Sequence, residues 1–349
     1  PVSGRQDPFL QEYRTGNDGP SYDFIQPIRN ERKIMKNIMI IGAAIGDVLV
    51  YPASPEVFAS GSHPAREILL STGGDGLNEA TVLAGLGKDP YLCTLLGRDQ
   101  MGELVTAHCQ TRGIRQDFLR YEEDISTGLN VVLVQENGER SFLTNPSSTL
   151  RNLRPCHIPE IFPQDVGILC LASIFVSPWL GSQELAEIFA RAKMQGITVC
   201  ADMTKRKQGE TAWDMKEAFS KVDYLFANQE EGQLLTGRKE PEEIAEVFLE
   251  CGAGCAVIKN GEKGCYIKNE KEAFAIPGFS VDCVDTTGAG DSFCAGFLYG
   301  LSEKKDLYTC GLYGNACGAL AVRQVGACRE KILWKDVKKL IEEQGKKNG

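Results

Sequence analysis

The chain has 349 residues, 42% hydrophobic and 24% charged, with a formal net charge of −9 and a pI near 5.1. That acidity, with no basic run before the short Lys346-Lys347 tail, excludes nonspecific nucleic-acid binding. No stretch approaches the roughly 18 apolar residues that would cross a membrane. The thirteen cysteines are an odd number without a Cys-x-x-Cys pair. They argue against a disulfide framework or a structural zinc, and for a reducing, cytoplasmic setting.

Residues 1–36 are polar, rich in Pro, Gly, Asn, Asp and Arg, and carry no period, so they read as an extension or arm. The body, 37–345, opens on Asn37-Ile38-Met39-Ile40-Ile41-Gly42. This short apolar run ending in glycine marks a buried parallel strand. A helix over 76–86, a strand over 90–96 and a helix over 102–112 follow. Further strands are predicted at 168–171, 197–200, 224–226 and 255–258, with helices at 183–194 and 241–251 between them. The alternation argues for right-handed βαβ units in an α/β domain, its mostly parallel sheet covered on both faces. Two segments break the rhythm. About 48–71 and 114–144 alternate apolar and polar residues, and Glu136-Asn137-Gly138-Glu139 between two such runs is a hairpin signal. They predict a small inserted antiparallel sheet with one face toward water or a partner. Nothing repeats at a fixed period.

The stretch that carries most chemistry is Asp285-Thr286-Thr287-Gly288-Ala289-Gly290-Asp291, followed at once by Ser292-Phe293-Cys294-Ala295-Gly296-Phe297. Glycines at 288 and 290 let the backbone turn sharply into a helix, whose first turn offers unpaired N–H donors and the positive end of its dipole. That combination suits a phosphate. A carboxylate in its middle makes sense if Asp291 takes a proton from a hydroxyl that attacks the phosphate. Alone, the same residues also describe an ordinary loop-to-helix turn with an N-terminal Asp. Asp47, placed at the end of the first strand, lies where ligands of parallel sheets gather.

Two further motifs accompany it: Gly73-Gly74-Asp75-Gly76-Leu77-Asn78, and then Gly97-Arg98-Asp99-Gln100-Met101-Gly102. With 285–291 in this order and the alternating segments between strands, the chain from about 37 to 335 resembles the PfkB family of carbohydrate kinases. The resemblance implies the ribokinase-like fold, a three-layer α/β/α domain with a small antiparallel β lid, and an ATP-dependent sugar kinase. Asp291 would be the catalytic base, and the N–H groups of Gly288, Ala289 and Gly290 would hold the transferring phosphoryl group. Asn228-Gln229-Glu230-Glu231 resembles the family's Asn-x-x-Glu element, with Glu231 organising water and Mg²⁺ and Asn228 on the nucleotide side. Lys259, Gly261 and Gly264 fall on the nucleotide loop, with Lys259 where Thr or Ser is common. Asn315 would approach the adenine. Asp285 and Thr287, with the turn Gly326-Ala327, imply a monovalent-cation site for K⁺.

On the sugar side the resemblance implies Asp47, Gly73, Gly74, Asp75, Asn78 and Asn130. Family lids close over the sugar and often pair, which implies a homodimer through the lid. The departures bear on the substrate. Asp75 stands where Lys or Ala is frequent, Thr144-Asn145-Pro146-Ser147-Ser148 where a Pro-Gly-Ala element is, and Asp202-Met203-Thr204-Lys205-Arg206 where Asp-x-Asn-x-Arg is. The last would supply basic groups for a sugar acid or phosphorylated sugar, or merely cap a strand. The expected substrate is therefore a small monosaccharide or sugar acid. The rivals are a nucleoside kinase of the same fold, which needs an aromatic-lined base pocket, and a non-catalytic sugar or nucleotide sensor. A nicotinamide-dependent dehydrogenase is excluded because Gly42-Ala43-Ala44-Ile45-Gly46 lacks the Gly-x-Gly-x-x-Gly spacing.

Overall fold

The computed structural model describes residues 37–136, 139–327 and 331–347. The predicted arm over 1–36 and the hairpin tip Asn137-Gly138 lie outside the described residues.

The strands in chain order begin with β1 (Asn37–Ile41), β2 (Ile45–Tyr51), β3 (Glu67–Gly73), β4 (Tyr91–Gly97), β5 (Arg115–Glu122), β6 (Leu129–Val134) and β7 (Arg140–Thr144). They continue with β8 (Val166–Ile174), β9 (Thr198–Met203), β10 (Tyr224–Asn228), β11 (Cys255–Lys259), β12 (Cys265–Asn269) and β13 (Ala273–Ile276). The helices are α1 (Val57–Ser60), α2 (Asp75–Gly85), α3 (Gln100–Arg112), α4 (Ser182–Met194) and α5 (Lys216–Phe219). After these come α6 (Gln229–Thr236), α7 (Pro241–Glu250), α8 (Ala289–Ser302), α9 (Leu307–Ala321) and α10 (Trp334–Lys347).

Among the described residues, nine strands form one sheet in the order β13-β12-β11-β10-β9-β8-β1-β4-β5. The pairings from β5 to β11 are parallel, and β12 and β13 continue the sheet antiparallel. The strand β1 shows why its residues are apolar without a break. Ile38 and Ile40 pack with Leu77, Phe293 and Phe297 on one face, in the layer of α2, α8 and α9. Met39 and Ile41 pack with Phe189 and Phe248 on the other, in the layer of α4 and α7. Successive side chains of a strand point to opposite faces, so a strand buried on both loses its alternation. Three layers result, as expected.

The small sheet has the order β3-β2-β6-β7. It is mixed rather than purely antiparallel, because β2 and β6 run parallel. One row across it is polar, Ser71, Asp47, Asn130 and Thr144, and the next on the opposite face is apolar, Leu70, Val48, Val131 and Leu143.

Two expectations are corrected. The segment 114–144 does not belong to the small sheet as a whole, since Arg115–Glu122 pairs in parallel with β4 at the edge of the large sheet. An edge strand exposes part of each face, so it alternates just as a lid strand does, and periodicity alone does not say which sheet it joins. Asp47 does not end the first strand. The chain turns at Gly42 to Ala44, and Asp47 lies inside β2 in the small sheet.

Candidate active site

The carboxyl ends of the parallel strands lie along one edge of the large sheet, and four of them deliver a polar side chain there. β8 brings Ser173, β9 Asp202, β10 Asn228 and β11 Lys259. These residues line a cavity of about 580 Å³ that is closed from the helix side by Ala289, Gly290 and Asp291. Ligands of open parallel sheets collect at this edge because the βα turns and helix N-termini meet there.

The helix α8 starts as the glycines require. Gly288 has φ +73°, left-handed backbone that a residue with a β-carbon adopts only at a cost. A β-carbon there would also stand 2.8 Å from Cβ of Ala327. Ala289 donates its N–H to the Thr286 carbonyl at 3.2 Å, and no described backbone carbonyl takes the N–H of Gly290 or Asp291. Asp285 holds the approach. Its Oδ1 accepts the Thr287 N–H at 2.8 Å and its Oδ2 the Gly326 N–H at 2.7 Å, clasping the loop to the Gly326-Ala327 turn.

Asp291 is half-buried, and its Oδ2 accepts a hydrogen bond from Asn78 Nδ2 at 2.7 Å. Burial, and next the Asp75 charge, push its pKa up to about 8, against the lowering effect of Asn78 and Lys259. Asp75 accepts a short hydrogen bond from the Ser173 hydroxyl, and burial raises it as well. Glu231 is pushed up to about 7, first by burial and against the pull of Lys259. Asn228 and Glu231 form a reciprocal capping box on α6. Glu231 N–H donates to Asn228 Oδ1 at 2.8 Å, and Asn228 N–H to Glu231 Oε2 at 2.7 Å. The side-chain cap therefore uses one oxygen of Glu231. Lys259 is 9% exposed and donates to both oxygens of Asp202, at 2.8 and 2.5 Å. Burial works against its charge, but Asp202 and Glu231 outweigh it and hold the pKa above the ordinary lysine value.

Among the predicted residues, the structure brings Asp75, Asn228, Glu231, Lys259, Gly261, Gly264, Ala289, Gly290, Asp291 and Asn315 to this one cavity. Asn315 spends its amide N–H groups on the carbonyls of Ile276 and Pro277, both at 3.2 Å, so it also ties the strand exit of β13 to α9. Asp47, Gly73 and Asn130 form a second group at the root of the small sheet. A β-carbon on Gly73 would collide with the Asp47 carboxylate at 2.0 Å. The pKa of Asp47 is pushed up to about 6 by burial, against an Asn130 hydrogen bond, with the Asp75 charge adding to the rise. Gly74 is the residue before α2 and Asn78 lies in its first turn, where it orients Asp291.

Sequence reasoning missed Ser173, and it named Asp202 and Lys259 separately without their pairing. Each is a polar residue at or near the carboxyl end of an apolar strand, a signal that misplaced Asp47 but holds for these. It also missed Glu79, the next residue along α2 from Asn78. The Glu79 carboxyl is fully buried near the thiols of Cys170 and Cys294. Burial lifts its pKa well above the ordinary carboxylate range.

A sequence profile of the pfkB family carbohydrate kinases matches residues 35–333. The chain is 31% identical over 269 residues to an ATP-dependent ribose-1-phosphate kinase of Halopiger xanaduensis, covering 77% of this chain and 86% of that protein. It is 28% identical over 278 residues to a 2-dehydro-3-deoxygluconokinase of Bacillus subtilis, covering 76% and 85%. The solved structure of Arabidopsis thaliana ribokinase complexed with ribose and ATP superposes with a TM-score of 0.74 at 25% identity, covering 88% of this chain and 99% of that one. The strand-edge cavity, its helix-borne carboxylate and these matches agree, and the chain belongs to the pfkB family of carbohydrate kinases.

Proposed function

We propose that this sugar phosphotransferase uses ATP and Mg²⁺, with Asp291 as the general base. The observation that carries the proposal is the Asp291 carboxylate at the first turn of α8, in the cavity of about 580 Å³ and oriented by Asn78. A sugar hydroxyl gives its proton to Asp291 as its oxygen attacks the γ-phosphorus and the bond to ADP breaks. The N–H groups of the 288–291 segment stabilise the charge on the moving phosphoryl, which is where most phosphoryl-transfer catalysis lies.

The donor set fits Mg²⁺. The cavity is lined by Asp75, Glu231, Glu262 and Asp291 besides the paired Asp202, and the charges of Asp202 and Asp75 add to the raised pKa values of their neighbours among Asp75, Glu231 and Asp291. A hard cation that keeps most of its waters relieves that repulsion. Glu231 would hold it through water, its Oε2 being engaged in the cap. Bound there, the ion neutralises charge on the phosphates. K⁺ beside Asp285 and Thr287 belongs to the proposal as an activator.

The acceptor favoured here carries an acid group. Lys205 is paired with Glu230 at 2.6 Å and Arg206 donates to the Glu210 carbonyl at 2.7 Å, so both are engaged. The charge of Lys207 acts on Asp75. Lys207 is exposed, and partial desolvation together with the nearby Arg151 charge lowers its pKa, so an anionic substituent would meet two cations on this side.

The test is ATP turnover on a panel of neutral sugars, sugar acids, sugar phosphates and nucleosides, with Mg²⁺, with EDTA, and with K⁺ replaced by Na⁺. At least one sugar acid or sugar phosphate is expected to give a kcat/KM about tenfold or more above the neutral sugars. EDTA should abolish turnover and Mg²⁺ restore it. Preference for a nucleoside would support the nucleoside-kinase reading, and binding without turnover the sensor.

The lid face bearing Leu70 and Leu143, each more than half exposed, is proposed as a homodimer contact of a cytoplasmic enzyme. Light scattering at micromolar concentration should give twice the chain mass of 38.2 kDa. A monomer mass would count against it.

A further inference from the structure

Lys259 is, among the described residues, the only cationic side chain lining the cavity. It belongs to a buried ion pair, which rarely adds stability over apolar residues of similar volume because both charges must be stripped of water. The pair is also rigid. Asp202 is 2% exposed, chelates the ammonium through both oxygens, and has its Oδ1 further held by the Met203 N–H at 2.8 Å. An ammonium has three N–H donors, and two of them point to Asp202. Its nitrogen lies against the first turn of α8, 3.4 Å from where a β-carbon on Gly290 would stand. The fixed cation and the open N–H groups of Gly290 and Asp291 thus address the same space.

We propose that Lys259 is a catalytic residue whose third N–H bonds an oxygen of the transferring phosphoryl group, with Asp202 as the positioning residue that aims it. The inference rests on the reading that the chain transfers a phosphoryl group from ATP. The Lys259 proton stays in place throughout. The sugar oxygen forms the new bond to phosphorus, the bond to ADP breaks, and the hydroxyl proton goes to Asp291. A hydroxyl residue at this position supplies a donor but no charge, so Lys259 gives this chain a side-chain cation at the phosphoryl site. A charge-assisted hydrogen bond is roughly twice as strong as a neutral one, and it strengthens further as charge builds on the phosphoryl oxygens.

The experiment compares the parent with Lys259→Thr, Lys259→Arg and Asp202→Asn by steady-state kinetics, thermal melting, and calorimetric titration with ADP and with a non-hydrolysable ATP analogue in Mg²⁺. Lys259→Thr is expected to lower kcat about 10- to 100-fold with the sugar KM nearly unchanged. It should weaken the ATP analogue relative to ADP, because only the former carries the γ-phosphate. Lys259→Arg keeps the charge and should retain more of both effects than Thr, and Asp202→Asn should fall between parent and Thr. Unchanged kcat with an unchanged analogue-to-ADP ratio overturns the proposal. So does an equal loss of ADP and analogue affinity with a lowered Tm, which marks a purely structural pair. If the parent phosphorylates nothing on the panel, the kinase reading fails, and the analogue-to-ADP ratio still decides whether Lys259 meets the terminal phosphate. Should Lys259→Thr not fold, Lys259→Arg and Asp202→Asn carry the same comparison.

Discussion

Replacing Asp291 by Asn is expected to lower kcat by roughly 10³- to 10⁴-fold, the upper part of what a positioned general base contributes, without lowering thermal stability. The amide keeps an oxygen for the Asn78 N–H that now reaches Asp291 at 2.7 Å, so geometry survives while the proton acceptor is lost. In the free enzyme the Asp291 pKa is raised from an ordinary 3.8 to about 8. A base works only when ionised, so the parent kcat should fall about tenfold per pH unit below its apparent pKa. That apparent value should lie below the free-enzyme one, because a cation among the neighbouring acids favours the carboxylate. The residual rate of the variant should be flat over the same range.

The stability effect has the opposite sign. Between pH 3.8 and about 8 the folded protein holds a proton that the unfolded chain has lost. Its contribution to stability is full below the lower value and is lost as pH rises through the upper one. Asp291→Asn removes that loss and should melt higher than the parent at pH 9, by roughly 2 °C for each kcal/mol of the loss, with the gap closing as pH falls toward 3.8. A variant that keeps most of the parent rate, or the parent's pH slope, would remove Asp291 from its role.

Gly288→Ala is expected to lower kcat/KM by about 10²- to 10³-fold with the fold intact. Left-handed backbone costs a residue with a β-carbon roughly 1–2 kcal/mol, and the new methyl would meet Ala327 Cβ at 2.8 Å and Cα at 3.1 Å. The loop must shift, carrying the Gly290 and Asp291 N–H groups with it. A misplacement of about 1 Å at a phosphoryl-transfer site is worth about 10²-fold. Ala327→Gly in the same chain removes the 2.8 Å Cβ contact but neither the Cα approach nor the backbone strain, so it should recover only part of the loss, about tenfold. Steady-state kinetics decide it. A Gly288→Ala enzyme within threefold of the parent would show that the first turn of α8 tolerates movement and does not hold the phosphoryl group.

Much of this architecture was legible from local pattern. The run 37–41 reads as a doubly buried strand, and the structure packs alternate residues of it on opposite layers. The motif 285–291 states its own turn, because glycine at 288 is needed for the backbone that starts α8. Asn228 and Glu231, three apart, are the two halves of a cap whichever ligand they serve. The edge strand Arg115–Glu122 was illegible for an equally physical reason. Its half-exposed faces give the same alternation as the lid strands, and nothing local names the partner.

What the sequence by itself determined, then, were the elements, their order, and the residues at strand and helix ends where ligands are met, since these follow from spacing along the chain and backbone preference. Only the tertiary structure decided which of those ends meet. It placed Asp47 in the small sheet beside Asn130, joined Asn78 to Asp291, and set the Lys259 ammonium on Asp202 against the first turn of α8. Those contacts join residues far apart in the chain, and no local signal encodes a partner that sheet order and helix packing bring within hydrogen-bond reach.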